Sequence, residues 1–189
     1  PNARRSHRME LLVKECDSIV TNLKSSVGSK DVHSLGKTMS SLWLLLRNKA
    51  DYQRPLVRAG IIAVLVQAME ELISFVDVCH DSLKVVNNMC RFSDNNGSIL
   101  FDVVKCLGAG GVCNSVIALL KLYGDTNPVI LEQCCDAIRN LSALESNRVL
   151  FRETALHECL TQCLSHYSSD PHLASWICRA IGSLCLHND

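Results

Sequence analysis

The chain repeats itself over residues 61–189, and a repeat of this length limits the fold more than any short motif within it. With Gly60, Gly111 and Ala155 in one column, Asn88, Asn140 and Ser183 fall into register 28, 29 and 28 residues further on. The aligned pieces are IIAVLVQAM, VCNSVIALL and LHECLTQCL, followed by LKVVNNMCRFS, CCDAIRNLSAL and CRAIGSLCLHN. A period of about 44 residues built from paired helical segments marks a helical repeat array, whose units bury their apolar faces by stacking on one another. Such an array shares one continuous core, so all 189 residues are expected to form one all-α domain. Its units run over about 9–48, 51–93, 95–144 and 147–187.

Each unit reads as three segments. The first is short and turns from polar to apolar: Asp51 to Ala59, Asn95 to about Lys105, Asn147 to Thr154. Asn or Asp at its start is suited to capping a helix. The second is an apolar helix, with Ile61, Val64, Leu65, Ala68 and Met69 at helical spacing in the first full unit. The third is the longest. Asn127-Pro128 and Asp170-Pro171 put a capping side chain before a proline at the first helical position, where the missing N–H would be unbonded in any case. Asp31 falls in the same column; in the second unit Phe75 occupies it and Asp77 reads as the cap. Gly60 to Gly111 is 51 residues and Gly111 to Ala155 is 44, so seven extra residues are expected around Val103–Gly110, as a longer first helix or a bulging loop. Upstream, Met9–Val27 and Asp31–Asn48 form a helical pair joined by a turn at Ser25–Lys30, an atypical capping unit.

Charge and cysteine usage bound the function. Nineteen basic and nineteen acidic side chains leave no net charge, without the basic surplus that general affinity for nucleic acid needs. Arg4, Arg5, His7 and Arg8 read as a solvated, frayed end, and no apolar stretch follows them as in a signal peptide. The longest apolar stretch, from Ile99 to Tyr123, holds Asp102 and Lys105 and is broken by Gly108, Gly110 and Gly111, a poor membrane span. The eleven cysteines fall mostly in apolar columns: Cys159 with Val64 and Ser115, Cys163 with Ala68 and Leu119, Cys135 and Cys178 with Leu83, Cys79 with Leu131 and Ala174. Most therefore read as reduced core residues of a cytoplasmic or nuclear protein.

Several clusters imitate chemistry. Gly108-Ala109-Gly110-Gly111 precedes a helix as a phosphate loop does, but lacks the preceding strand and the Lys-Ser/Thr pair; the repeat explains it as a joint between helices. Cys159 and Cys163 share a helical face near His157 and His166, yet no second ligand pair matches them. Cys134 and Cys135 are adjacent on a helix, so their side chains diverge. No nucleophile signature or paired carboxylate stands out. No enzyme activity, cofactor or metal is expected.

The three-segment unit with a glycine joint, closing on an Asn-Leu step, resembles the armadillo repeat. Ala137-Ile138-Arg139-Asn140-Leu141-Ser142, followed by Asn147-Arg148, carries the likeness best, then Val86-Asn87-Asn88-Met89-Cys90. Within the family, the armadillo repeat-containing protein 6 type is similar. The resemblance implies a right-handed α-solenoid of about four armadillo-type repeats whose third helices line a concave groove. There the column asparagine holds the backbone of an extended peptide, one amide side chain pairing with an N–H and a C=O together. That role falls on Asn88 and Asn140; Ser183 is a shorter substitute, and Leu44 has no polar side chain. One turn earlier lie Lys84, Asp136 and Arg179, and two turns earlier His80, Asp81, Glu132, Gln133, Ser175 and Trp176. The importin-α pattern, with Trp four residues before each Asn, is absent. The line Lys84–Asp136–Arg179 implies a protein or peptide ligand of mixed charge, bound by a monomer or a part of a larger assembly, with no nucleic acid and no membrane. Two alternatives stay open at the residues themselves: the asparagines bond neighbouring helices instead, and Trp176 is either a groove aromatic or a packed end residue. At the level of the molecule, the alternatives are a structural or assembly component using its ends or convex face, and a redox- or metal-responsive scaffold.

Overall fold

The structure, a computed structural model, describes residues 2–91 and 100–185, with side chains from residue 7 onward except at 48 and 50. The helices follow from local signals. Three of them begin where a short polar side chain accepts from backbone N–H groups left open at the first turn. Asp31 accepts from the Ser34 N–H at 3.0 Å and opens α2 (Val32–Asn48). Asn127 accepts from Ile130 at 3.0 Å and opens α8 (Pro128–Leu141). Asp170 accepts from His172 and Leu173 and opens α11 (Pro171–Leu184), and in both α8 and α11 proline takes the first helical position. α5 (Val76–Arg91) departs from the expectation: it starts one residue before Asp77, which sits in the first turn, where its charge favours the positive end of the helix dipole.

The remaining helices are α1 (Asn2–Gly28), α3 (Gln53–Ala59), α4 (Ile61–Glu71), α6 (Phe101–Ala109), α7 (Val112–Tyr123), α9 (Glu145–Arg152) and α10 (Leu156–His166), with a short 3-10 turn at Ala50–Tyr52. Among the described residues there is no strand. α1 begins at Asn2, ahead of the expected Met9 start, so the basic residues Arg4, Arg5, His7 and Arg8 lie on it. Expected caps of the first segments fail. Asp51 lies in the 3-10 turn ahead of α3, and Asn147 lies inside α9, whose N-cap is Leu144; Asn95 lies outside the described residues.

Helices of the same kind stack on one another. α2 packs on α5, α5 on α8 and α8 on α11; α1 packs on α4, α4 on α7 and α7 on α10; α3 packs on α6 and α6 on α9. We call α2, α5, α8 and α11 the third helices. The core runs between these rows, through Met39, Leu42, Leu65, Val86, Leu119 and Leu131, each at most 1% exposed. Seven of the eleven cysteines are buried in it, and Cys106, Cys178 and Cys185 are exposed. Cys178 departs from its buried column because α11, unlike α8, has no further third helix against it among the described residues. Those residues include no single helix long and apolar enough to cross a membrane; α6 and α7 together would qualify by length and composition, but are bent by 66°.

Glycines make the joints. Gly60 and Gly111 take φ of 91° and 95°, the left-handed region that a side chain disfavours, and so turn a first helix into a second within one residue. Ala155, in the same column, has φ −73°, and the third joint is made by the looser turn after α9. The other glycines of the Gly108–Gly111 run serve close approach. A Cβ on Gly108 would lie 1.8 Å from the Asn147 Oδ1, and one on Gly110 would lie 2.4 Å from the Ile62 Cγ2. Asn147 in turn is 1% exposed and donates to the Val104 and Leu141 carbonyls at 3.2 and 3.0 Å, tying α6, α8 and α9 together. The extra residues expected around Val103–Gly110 are not there: α6 has nine residues against seven in α3 and eight in α9. The length enters instead between α5 and α6, where residues 92–100 connect Arg91 to Phe101 while 142–144 suffice between α8 and α9.

Gly108→Ala is expected to destabilise by about 2 kcal/mol through overpacking. Asn147→Ala is expected to cost about 2 kcal/mol by removing the two bonds that tie α9 to α6 and α8. In the double variant the Gly108→Ala cost should shrink, because the clashing amide is gone; additive losses in urea titrations would show that the two do not meet. Iodoacetamide labelling followed by peptide mass spectrometry is expected to modify Cys106, Cys178 and Cys185 in the native protein. Cys79, Cys113 and Cys134 should label only after denaturation.

Candidate functional site

The third helices carry polar side chains where they meet, in three groups. Trp43 of α2 anchors the first. The Lys84 Nζ lies 4.1 Å from its ring centroid and the Arg47 guanidinium 5.6 Å, both within cation–π range. Lys84 also stands 3.6 Å from the Asp81 Oδ1, and Asp81 accepts from the Ser40 hydroxyl at 3.0 Å. Burial opposes ionisation of Asp81, but hydrogen bonds from His80 and Ser40 and the charge of Lys84 outweigh it and hold the carboxyl below its ordinary range.

The middle group joins α5 to its neighbours. Asn88 is 5% exposed; its side-chain amide donates to the Trp43 carbonyl at 3.3 Å, and its main-chain carbonyl accepts from buried Gln53 at 3.1 Å. Asn87 donates to the Gln133 carbonyl at 3.2 Å and to its side-chain oxygen at 3.1 Å, and accepts from the Asn140 amide at 3.4 Å. Asp136 is 2% exposed, with the Arg91 Nη2 at 2.5 Å from one carboxylate oxygen and the Arg139 Nη2 at 2.7 Å from the other. The third group lies between α8 and α11. The His172 Nε2 stands 3.2 Å from the Glu132 Oε2 and 3.3 Å from the Trp176 Nε1, and the Arg179 guanidinium lies 5.5 Å from the Trp176 ring.

This sorts the seven residues singled out in the sequence. Lys84, Asn140 and Trp176 are half-buried and Arg179 is exposed, so these four can meet a ligand. Asn88, Asp136 and Ser183 are buried and are corrected from ligand contacts to parts of the stack. The physical reason is the same for each: a partner on its own or a neighbouring helix already uses the polar atoms, for Ser183 the Ala180 carbonyl at 2.7 Å. The sequence reading missed Asn87, Trp43, Arg91 and Arg139. Arg47 and Arg91 stand in one column, 44 residues apart, which is the signal that could have found them.

Burial pushes the thiol of Cys79 up to about 11 and those of Cys113 and Cys163 to about 12, so they stay protonated and unreactive at neutral pH. Among the described residues no three His, Cys, Asp or Glu side chains converge as a metal site. One open hollow lies on α3 and α6 around Arg54, Arg58 and Cys106, and another lies around Phe151, His157 and the end of α11 at Leu184 and Cys185.

No protein-family model and no curated protein matches the chain. Among solved structures it is similar to the crystal structure of an engineered protein from the Northeast Structural Genomics Consortium, with TM-score 0.71 and 18% identity over 90% of this chain. The match spans 62% of the length of that protein, and at this identity the likeness bears on the all-helical fold alone.

The Arg91–Asp136–Arg139 cluster has an asymmetry that stability measurements can read. Both arginines are about half exposed and can return to water, whereas Asp136 cannot. Asp136→Asn is expected to cost about 1 kcal/mol in urea unfolding. Replacing both arginines by alanine should cost about 3–5 kcal/mol, because it strands a buried carboxylate.

Proposed function

We propose that the chain is a right-handed armadillo-type α-solenoid of about four units that acts without catalysis, binding an extended peptide or a partner protein along its third helices. Successive stacking of helices of one kind supports the solenoid reading. The observation that carries the binding reading is the row itself. Trp43 and Trp176 lie at either end with cations over their rings, and half-buried Asn140 lies between them. Aromatic and arginine side chains are the usual energetic anchors of protein interfaces. In this reading the backbone of the ligand meets Asn140, while Lys84, Arg179 and Trp176 select its side chains.

One observation favours a second reading, assembly through the end of the stack. Leu131, Cys135 and Ile138 are buried on α8, whereas their counterparts on α11, Ala174, Cys178 and Ile181, are partly or fully exposed. A further helical unit stacking there would cover them.

Affinity capture from a cell lysate separates the two. With the binding reading, a protein retained by the wild type is lost with Asn140→Ala/Arg179→Ala and kept with Arg58→Ala, which lies on α3. Loss with Cys178→Asp and retention with the first pair would favour the end of the stack. Circular dichroism establishes that each variant is folded.

A further inference from the structure

We propose that the ligand is an acidic peptide, and that Arg91 and Arg139 form the receptor for one of its Asp or Glu side chains. The inference rests on the reading of the third helices as a binding row and names the chemistry of what they bind.

Buried Asp136 changes the charge of this face from what the sequence shows. Read along the column, Lys84–Asp136–Arg179 is a line of mixed sign, yet the Asp136 side chain is only 3% exposed and cannot be felt by a ligand as a free anion. The charges that do reach the surface are mostly positive: Arg47, Lys84, Arg91, Arg139 and Arg179. Among the acids, Asp81 is held by Lys84 and Ser40, Glu132 faces His172, and Asp77 is exposed in the first turn of α5 on the Lys84 face.

The cluster itself is one charge short of neutrality. Two guanidiniums share a single carboxylate, one on each oxygen, and each engages it through Nη2 alone. The Arg91 and Arg139 side chains are 50% and 41% exposed, and their other N–H groups have no protein partner among the described residues. A guanidinium fork with open N–H groups fits a carboxylate in two-point contact. Asp136 acts as the positioning residue, fixing both forks from beneath so that little side-chain freedom remains to be lost on binding. A second carboxylate from above would complete a pairing of two cations with two anions. Asn140, next to Arg139 in the chain, offers its amide to the adjoining ligand backbone.

The test uses a random twelve-residue peptide library displayed on phage and selected against the wild-type protein. Asp and Glu are expected to be enriched at one or more positions. Exchanging the enriched acid for Asn or Gln in a synthetic peptide should weaken binding about tenfold by fluorescence anisotropy. Arg91→Gln and Arg139→Gln should each weaken the acidic peptide by a similar factor and leave the amide peptide unchanged, and added potassium chloride should reduce the difference. The exchange in the peptide needs no protein variant, so it stands even if an arginine variant misfolds. Enriched peptides without acidic bias, lost with Asn140→Ala, would overturn the acidic ligand and keep the binding row. Equal binding of acid and amide peptides would also overturn it, leaving the arginines as a staple between α5 and α8. No enriched peptide at all would overturn both readings.

Discussion

A stacked array has to bury the polar side chains that sit at its joints, and the structure depends on how each is satisfied across the gap between successive helices. Burying an amide or a carboxylate is unfavourable unless every strong donor and acceptor finds a partner. Most of these groups find a partner on another element, although the buried Gln53 Oε1 has no hydrogen-bond partner among the described residues. Gln53 reaches the Asn88 carbonyl, Asn88 the Trp43 carbonyl, Asn87 the Gln133 carbonyl, Asn147 the Val104 carbonyl, and Asp136 the Arg91 guanidinium. Apolar contacts tolerate sliding of one helix over another; these directed bonds do not. They fix the register of each helix on the next.

The parts of this arrangement legible in the sequence are those written within a few residues. Asp31, Asn127-Pro128 and Asp170-Pro171 cap through their own helix, so reading them needs no knowledge of the neighbours. Gly60 and Gly111 likewise declare a backbone conformation locally. Depth was harder. Lys84 and Asp136 share a column and therefore a helical face, yet Lys84 rests on Trp43 with 24% of its side chain exposed while Asp136 lies beneath two guanidiniums. Arg91, which covers it, comes from a different helix 45 residues earlier, and no periodicity along one helix reveals that. Asn88 shows the same limit: the column gave its face, and the carbonyl of Trp43 decided its bond.

Placement of inserted length failed for a related reason. Anchoring the repeats on glycine fixed where the joints are but left the gap free to slide along the segment ahead of them. Gly108 pins the end of α6 next to the joint: its missing side chain makes room for Asn147, so α6 meets α9 at this point. The extra length lies before α6, between Arg91 and Phe101.

Arg91 brings a buried ion pair and an exposed charge into one place. Arg91 closes α5, pairs with Asp136 across the joint to α8 and leaves half its side chain open. A residue with only one of these duties could be replaced by many others. For the joint alone, a neutral donor would satisfy one carboxylate oxygen; for an open surface alone, any solvated side chain would do. Arginine meets both requirements, since its planar fork presents five N–H groups and remains charged at any pH the fold survives. Lysine, with one compact ammonium, would have to choose between the buried carboxylate and the solvent side. The side chains that lock α5 to α8 are therefore also the ones whose remaining donors shape the charge of the exposed face, and a rigid joint gives that charge a fixed position.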